Sequence, residues 1–203
     1  MFSDSVLLSQ SNLRDVISMR DAVDTVRAVY RAHGEGQVVM PPKLTLDLGE
    51  SNGWPHLRGA SNSMPAYVDC YDAAGIKWAS GYRDNPTRGL PLVIAVIGLN
   101  DPRTGWPVCV MDGTLITELR TGASAAVFAD AMANPGALKV GLLGAGAQGR
   151  ATTQAFACMC NSDRTVKISC YDRIPAASTA LAHATNAEGL TVEPAGSIDE
   201  ALE

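Results

Sequence analysis

The sequence predicts an α/β fold in two parts, an α+β portion over residues 1–133 and then the first half of a doubly wound, Rossmann-type unit over 134–203. Three observations carry this. Leu138-Lys139-Val140-Gly141-Leu142-Leu143 reads as a short buried strand running into Gly144-Ala145-Gly146-Ala147-Gln148-Gly149, a G-x-G-x-x-G turn. A second β-rich run, Thr165 to Tyr171, ends in Asp172, 23 residues beyond Gly149. Ahead of both, short alternating runs and turn residues mix with helical periods, as an α+β portion requires.

The elements follow in order. Val6 to Leu8 reads as a strand. Ser18-x-x-Asp21 has the form of a capping box and opens a helix whose Ala22, Val23, Val26, Val29 and Tyr30 share one face, with Gly34 and Gly36 ending it. Lys43 to Asp47 alternates apolar and polar as a half-buried strand does, and Gly49 to Gly53 is a loop. Pro91 to Leu99 and Pro107 to Met111 flank Asn100-Asp101-Pro102-Arg103-Thr104-Gly105, whose turn chemistry predicts a hairpin. From Thr114 to Ala133 a helix rich in small residues (Gly122, Ala123, Ser124, Ala125, Ala126) permits close packing, and Asn134-Pro135-Gly136 stops it. After the glycine turn come an amphipathic helix carrying Ala151, Ala155, Phe156 and Met159, the strand to Tyr171, and a third strand, Leu190-Thr191-Val192. Ser197-Ile198-Asp199-Glu200 then caps a last helix. A full Rossmann domain has two such halves, so the reading expects a partial chain, or a sheet completed by another polypeptide.

The chemistry of the glycine turn is dinucleotide binding. Gly144 is expected to make the tight turn, Gly146 to admit a pyrophosphate against the backbone, and Gly149 to let the helix pack on the strand, with Ala147 and Gln148 presenting backbone to the phosphates. Asp172 stands where an acid accepts a ribose hydroxyl and repels a 2′-phosphate, which favours NAD over NADP, while Arg173 beside it offers a phosphate partner.

Composition narrows the classes. With 46% hydrophobic residues the chain can bury a core. A net charge of −5 and no Lys/Arg cluster argue against nucleic acid, and the longest apolar run, Leu92 to Leu99, is too short to span a bilayer. Met1 to Gln10 lacks a signal-peptide pattern, and a cytoplasmic location is expected. Five cysteines form no C-x-x-C pair and read as reduced structural residues, and His33, His56 and His183 show no ligand spacing, so no metal is expected.

Gly75-Ile76-Lys77-Trp78, Asn85-Pro86, Gly89-Leu90-Pro91, Thr104-Gly105, Val110-Met111-Asp112-Gly113, Thr117 to Ala123 and the glycine turn occur in one order. Together they resemble the ornithine cyclodeaminase/mu-crystallin family from about Val6 to Glu203. The resemblance implies a substrate-binding and dimerisation domain before the NAD(P)-binding half, a homodimer, and hydride transfer at the amine-bearing carbon of a small amino acid or the matching imine. It also implies that a C-terminal portion with an acidic proton-transfer residue lies outside this sequence. Lys43, Lys77 and Arg120 stand where the family places cations that grip substrate, with Arg120 also near the cofactor. Some members carry an arginine nearer Met-Pro-Ala, where this chain has Asn62, and the resemblance offers Arg58 as a candidate in its place. Lys77 is the catalytic candidate, because a lysine between Ile76 and Trp78 on an apolar strand is expected to lose hydration, which favours the neutral amine used in proton transfer. The alternative is a non-enzymatic, crystallin-like binder of a nucleotide or small ligand.

Overall fold

A computed structural model describes residues 5–49 and 53–203. These form two compact units, the chain up to Ile17 with Ala28–Thr117, and Ser18–Arg27 with Glu118–Glu203. Part of the expected 49–53 loop therefore lies outside the described residues.

The first unit is built on a seven-stranded sheet. Its strands are β1 (Val6–Leu8), β2 (Val38–Val39), β3 (Leu44–Leu48), β4 (Gly59–Val68), β5 (Ala73–Tyr82), β6 (Val93–Asn100) and β7 (Pro107–Asp112). The order is β1-β7-β6-β5-β4-β2, with β3 also pairing β4; only β1 and β7 run parallel. Gly105 at φ 73° closes the expected β6–β7 hairpin. Strand β4 contains Pro65, which cannot donate to a ladder. It sits in the gap along that edge between β3, whose pairing ends at Ser63, and β2, whose pairing starts at Tyr67. Helix α1 (Gln10–Arg14) is capped reciprocally by Ser9 and Asn12 and buries Leu13.

Period-two geometry gives this sheet two unlike faces. One carries the buried Ala79, Ala95 and Cys109. The other carries Leu44, Ile76, Trp78 and Val96, which are 74%, 42%, 56% and 47% exposed. The alternation in β3 is present, but Leu44 and Leu46 are exposed in this chain rather than half-buried.

The second unit holds the parallel sheet β10-β9-β8, from β8 (Leu138–Leu143), β9 (Val166–Tyr171) and β10 (Leu190–Pro194). Helix α4 (Ala147–Ala157) connects β8 to β9, and α5 (Pro175–Ala184) connects β9 to β10. Phe156, Met159, Val166, Ile168, Cys170 and Leu181 form its core. Helices α2 (Met19–Gly34) and α3 (Thr114–Met132) pass from one unit's residues to the other's. The small residues of α3 let it pack closely on α4: a Cβ on Gly122 would lie 2.4 Å from the Ala151 carbonyl carbon. Asp130 of α3 receives Arg27 at 2.9 Å and Arg164 at 3.5 Å. Both predicted capping motifs form. Ser18 and Asp21 exchange side-chain and backbone bonds, and Ser197 accepts from Glu200 at the start of α6 (Ile198–Leu202). The Glu200 carboxylate reaches one residue further back, to the Gly196 N–H.

Candidate functional site

In the second unit the turn from β8 to α4 gives each glycine a separate job. Gly144 lies at φ 108°, where a side chain would strain the backbone. At Gly146 a Cβ would meet nothing within 4 Å, so the backbone is open to a ligand. At Gly149 a Cβ would stand 2.1 Å from the Gly144 carbonyl oxygen, so only glycine lets α4 pack this close. Helix α4 starts at Ala147, and the N–H groups of Ala147, Gln148 and Gly149 in its first turn have no acceptor within the helix. These amides, with the helix dipole behind them, form an anion cradle.

Asp172 follows β9 directly. Its Oδ1 accepts the Ile174 N–H at 2.8 Å and its Oδ2 accepts the Ala145 N–H at 2.8 Å. These two hydrogen bonds, that from Ile174 first, hold its carboxyl below the ordinary aspartate value. Arg173 beside it is exposed. Burial pushes the Cys158, Cys160 and Cys170 thiols up, which suits packing better than nucleophilic chemistry.

In the first unit Lys77 lies near the middle of β5 and is half-buried. Its Nζ donates to Thr117 Oγ1 at 3.3 Å. Ile76 and Trp78, as its strand neighbours, project to the opposite face and do not line its ammonium. Its lateral neighbours are Met64 on β4 and Ile97 on β6, the latter paired with Met111 on β7. Asn62 lies on the same face, its Oδ1 accepting from Thr45 Oγ1 at 2.8 Å. Lys43 is exposed and just precedes β3, whose Leu44 pairs with Ser63. Arg58, in the left-handed region at φ 54°, is bound to Asp84 at 2.9 Å. Arg120 is an exposed residue of α3, one turn beyond Thr117.

The structure thus brings Gly144, Gly146, Ala147, Gln148, Gly149 and Asp172 together in one unit, and in the other places Lys77 and Asn62 on one sheet face with Thr117 of α3 bonded to Lys77. Sequence reasoning missed Thr117 and the bond between Asp172 and Ala145. The first has no signal of its own, and the second spans 27 residues. Among the described residues no group of three or more His, Cys, Asp or Glu is placed to hold a metal, and no helix is long and apolar enough to cross a membrane.

A family model described as the ornithine cyclodeaminase/mu-crystallin family matches residues 3–203. An alanine dehydrogenase of Archaeoglobus fulgidus is 36% identical over 145 residues, covering 71% of this chain and 42% of the relative. Two solved structures superpose over 97% of the chain. They are Thermococcus litoralis Δ1-pyrroline-2-carboxylate reductase in complex with NADH and L-proline (TM-score 0.79, 30% identity, 58% of that chain) and an archaeal alanine dehydrogenase dimer with bound NAD (TM-score 0.81, 31% identity, 57% of that chain). The chain therefore spans about half the length of the relatives it matches.

Proposed function

The chain belongs to the ornithine cyclodeaminase/mu-crystallin family, and from that premise we propose that it carries the nucleotide-binding half and the main substrate-binding part of an NAD-dependent enzyme acting on a small amino acid or its imine. The substrate-binding and dimerisation part is assigned to 1–133 and the nucleotide part to 134–203. The observation that carries the reading is the turn at Gly144, Gly146 and Gly149, at positive φ, open and close-packed respectively, the order a pyrophosphate site needs. The relatives solved with NAD or NADH support the same cofactor here. Nothing favours the non-enzymatic alternative.

Bound NAD⁺ would accept, and NADH return, a hydride at the amine-bearing carbon. The chain's own residues do the rest. Lys43, Lys77 and Arg120 are assigned to the substrate carboxylate and Arg120 also to the cofactor, a guanidinium being able to grip an anion with two parallel bonds. Lys77 is assigned the proton exchanged with the substrate nitrogen, because it is half-buried between Met64 and Ile97 and steadied by Thr117. Low local hydration strengthens its pull on an anion. Gly144, Gly146, Ala147, Gln148 and Gly149 hold the phosphates, Asp172 selects the unphosphorylated ribose of NAD over NADP, and Arg173 beside it is the further cofactor-binding residue assigned at the ribose.

NADH and NADPH fluorescence titrations test the cofactor, and alanine-, proline- and ornithine-dependent NAD⁺ reduction, read by nicotinamide absorbance, tests the reaction class. Tighter NADH than NADPH binding is expected. Absence of any nicotinamide-nucleotide binding would overturn the reading.

A further inference from the structure

Asp172 makes contacts that a reader of the ribose alone has no need of. Ala145, the residue between the first two glycines, is 3% exposed, and its N–H points at Asp172 Oδ2 rather than outward. The Gly144 N–H donates to the Tyr171 carbonyl at 2.8 Å. Two consecutive amides of the glycine turn are therefore held by two consecutive residues at the end of β9, and the second carboxylate oxygen is tied to the Ile174 N–H. On the carbonyl side Arg150 ties the turn, its N–H donating to the Gly146 carbonyl at 3.0 Å and its guanidinium to the Ala145 carbonyl at 3.4 Å, and Gly149 packs on the Gly144 carbonyl. Side-chain packing adds nothing at the two glycines, since at Gly144 (φ 108°) and at Gly146 a Cβ would meet nothing within 4 Å. Glycine backbone left untied samples many conformations, and ordering it on binding costs affinity.

We propose that Asp172 is a positioning residue for the phosphate-binding turn, holding Gly144-Ala145-Gly146 in shape before any ligand arrives, in addition to facing the ribose. The inference rests on the nucleotide reading above. Each carboxylate oxygen keeps a second lone pair after accepting one N–H, so the two roles are compatible. One consequence concerns cofactor choice. A substitution at Asp172 meant to admit a 2′-phosphate also loosens the turn, and is expected to weaken NADH and NADPH together instead of exchanging one for the other.

The two roles differ in sign for a ligand that has phosphates and no ribose. If Asp172 only reads the ribose, removing its negative charge leaves inorganic pyrophosphate unaffected or bound more tightly. If it positions the turn, removing it weakens pyrophosphate. The test titrates inorganic pyrophosphate into the 203-residue chain, as wild type, Asp172→Ala and Asp172→Asn, following the amide resonances of Gly146, Ala147 and Gln148, with hydrogen exchange of the Ala145 amide measured in the unliganded proteins. The wild type should bind saturably and Asp172→Ala about tenfold more weakly, the loss that goes with one charge-assisted hydrogen bond. Asp172→Asn, whose amide oxygen still accepts one N–H, should lie between them, and Ala145 should exchange fastest in Asp172→Ala. Pyrophosphate bound equally or more tightly by Asp172→Ala would overturn the positioning role and leave the nucleotide reading standing. Failure of the wild type to bind pyrophosphate and NAD⁺ alike would remove both.

Discussion

Lys77 and Asp172 carry the most at the scale of single residues, and their surroundings predict different experiments. Lys77 sits among Met64, Ile97 and Thr117 in the first unit, and the glycine turn is built by residues of the second, so Lys77→Ala is expected to abolish amine-dependent NAD⁺ reduction while NADH affinity stays within about twofold. Stopped-flow hydride transfer and NADH titration on one preparation decide it, and near-normal turnover would return Lys77 to a packing role. Asp172 predicts a pH dependence. Its folded carboxyl titrates below the ordinary value because the Ile174 and Ala145 N–H groups stabilise the charged form. Its contribution to stability is then fully present above the unfolded value of about 3.9 and is lost as pH falls through the depressed folded value. A carbon-detected NMR titration of the Asp172 carboxyl should give a midpoint below that of an unfolded aspartate; a midpoint above it would show that the two amides do not hold the charged form.

Elements in this chain are spaced by what glycine leaves out. Helix α4 can approach the end of β8 only because Gly149 has no side chain, and the atom a Cβ would strike at 2.1 Å is backbone, which has no rotamer to yield. Gly149→Ala is therefore expected to displace α4 from the turn, eliminating NADH binding and destabilising the fold by about 1–3 kcal/mol, as overpacked sites do. Chemical denaturation with NADH titration measures both, and unchanged binding would mean the cradle tolerates a shifted helix. Several elements were legible before the fold: the Ser18–Asp21 and Ser197–Glu200 caps, the β6–β7 hairpin, α3 and the β8 turn. Their signals are local, a cap three residues apart or a turn dipeptide. Strand β4 was not legible. Its Ser61-Asn62-Ser63 is polar and its Pro65 argues against a central strand, and only the gap between β3 and β2 accommodates that proline. Helix α1 escaped too, since at five residues it is shorter than any periodic signal.

At the scale of the whole molecule, the first unit's sheet is covered on one face and bare on the other. Leu44, Ser63, Trp78 and Val96 form one transverse row across four strands, flanked by Leu46 and Ile94 in the next. Exposed large apolar side chains set around the Ser61–Ser80 hydrogen bond and Ser63 suit an association surface, and a homodimer that buries them is the arrangement proposed here. The alanine dehydrogenase with bound NAD that this chain resembles is itself a dimer. Trp78→Glu, placed on the face opposite Lys77, is expected to shift sedimentation from dimer to monomer with the circular dichroism retained. A monomeric wild type, or a dimeric variant, would locate association elsewhere.

The sequence by itself determined the features that depend on near neighbours: the positive φ demanded of Gly144, the close packing demanded of Gly149, the helix caps, and the acid 23 residues beyond the glycine turn. Each follows from steric allowance or from a period of a few residues, so the order of residue types was enough to read it. Tertiary structure alone decided which side chains meet. It gave Lys77 the neighbours Met64 and Ile97 in place of Ile76 and Trp78, engaged Arg58 with Asp84, and closed the Asp172 carboxylate onto the Ala145 N–H. The reason is strand register. A one-residue slip between β4 and β5 would part Lys77 from Met64, and one between β8 and β9 would part Asp172 from Ala145; what prevents either is packing between segments distant in the chain.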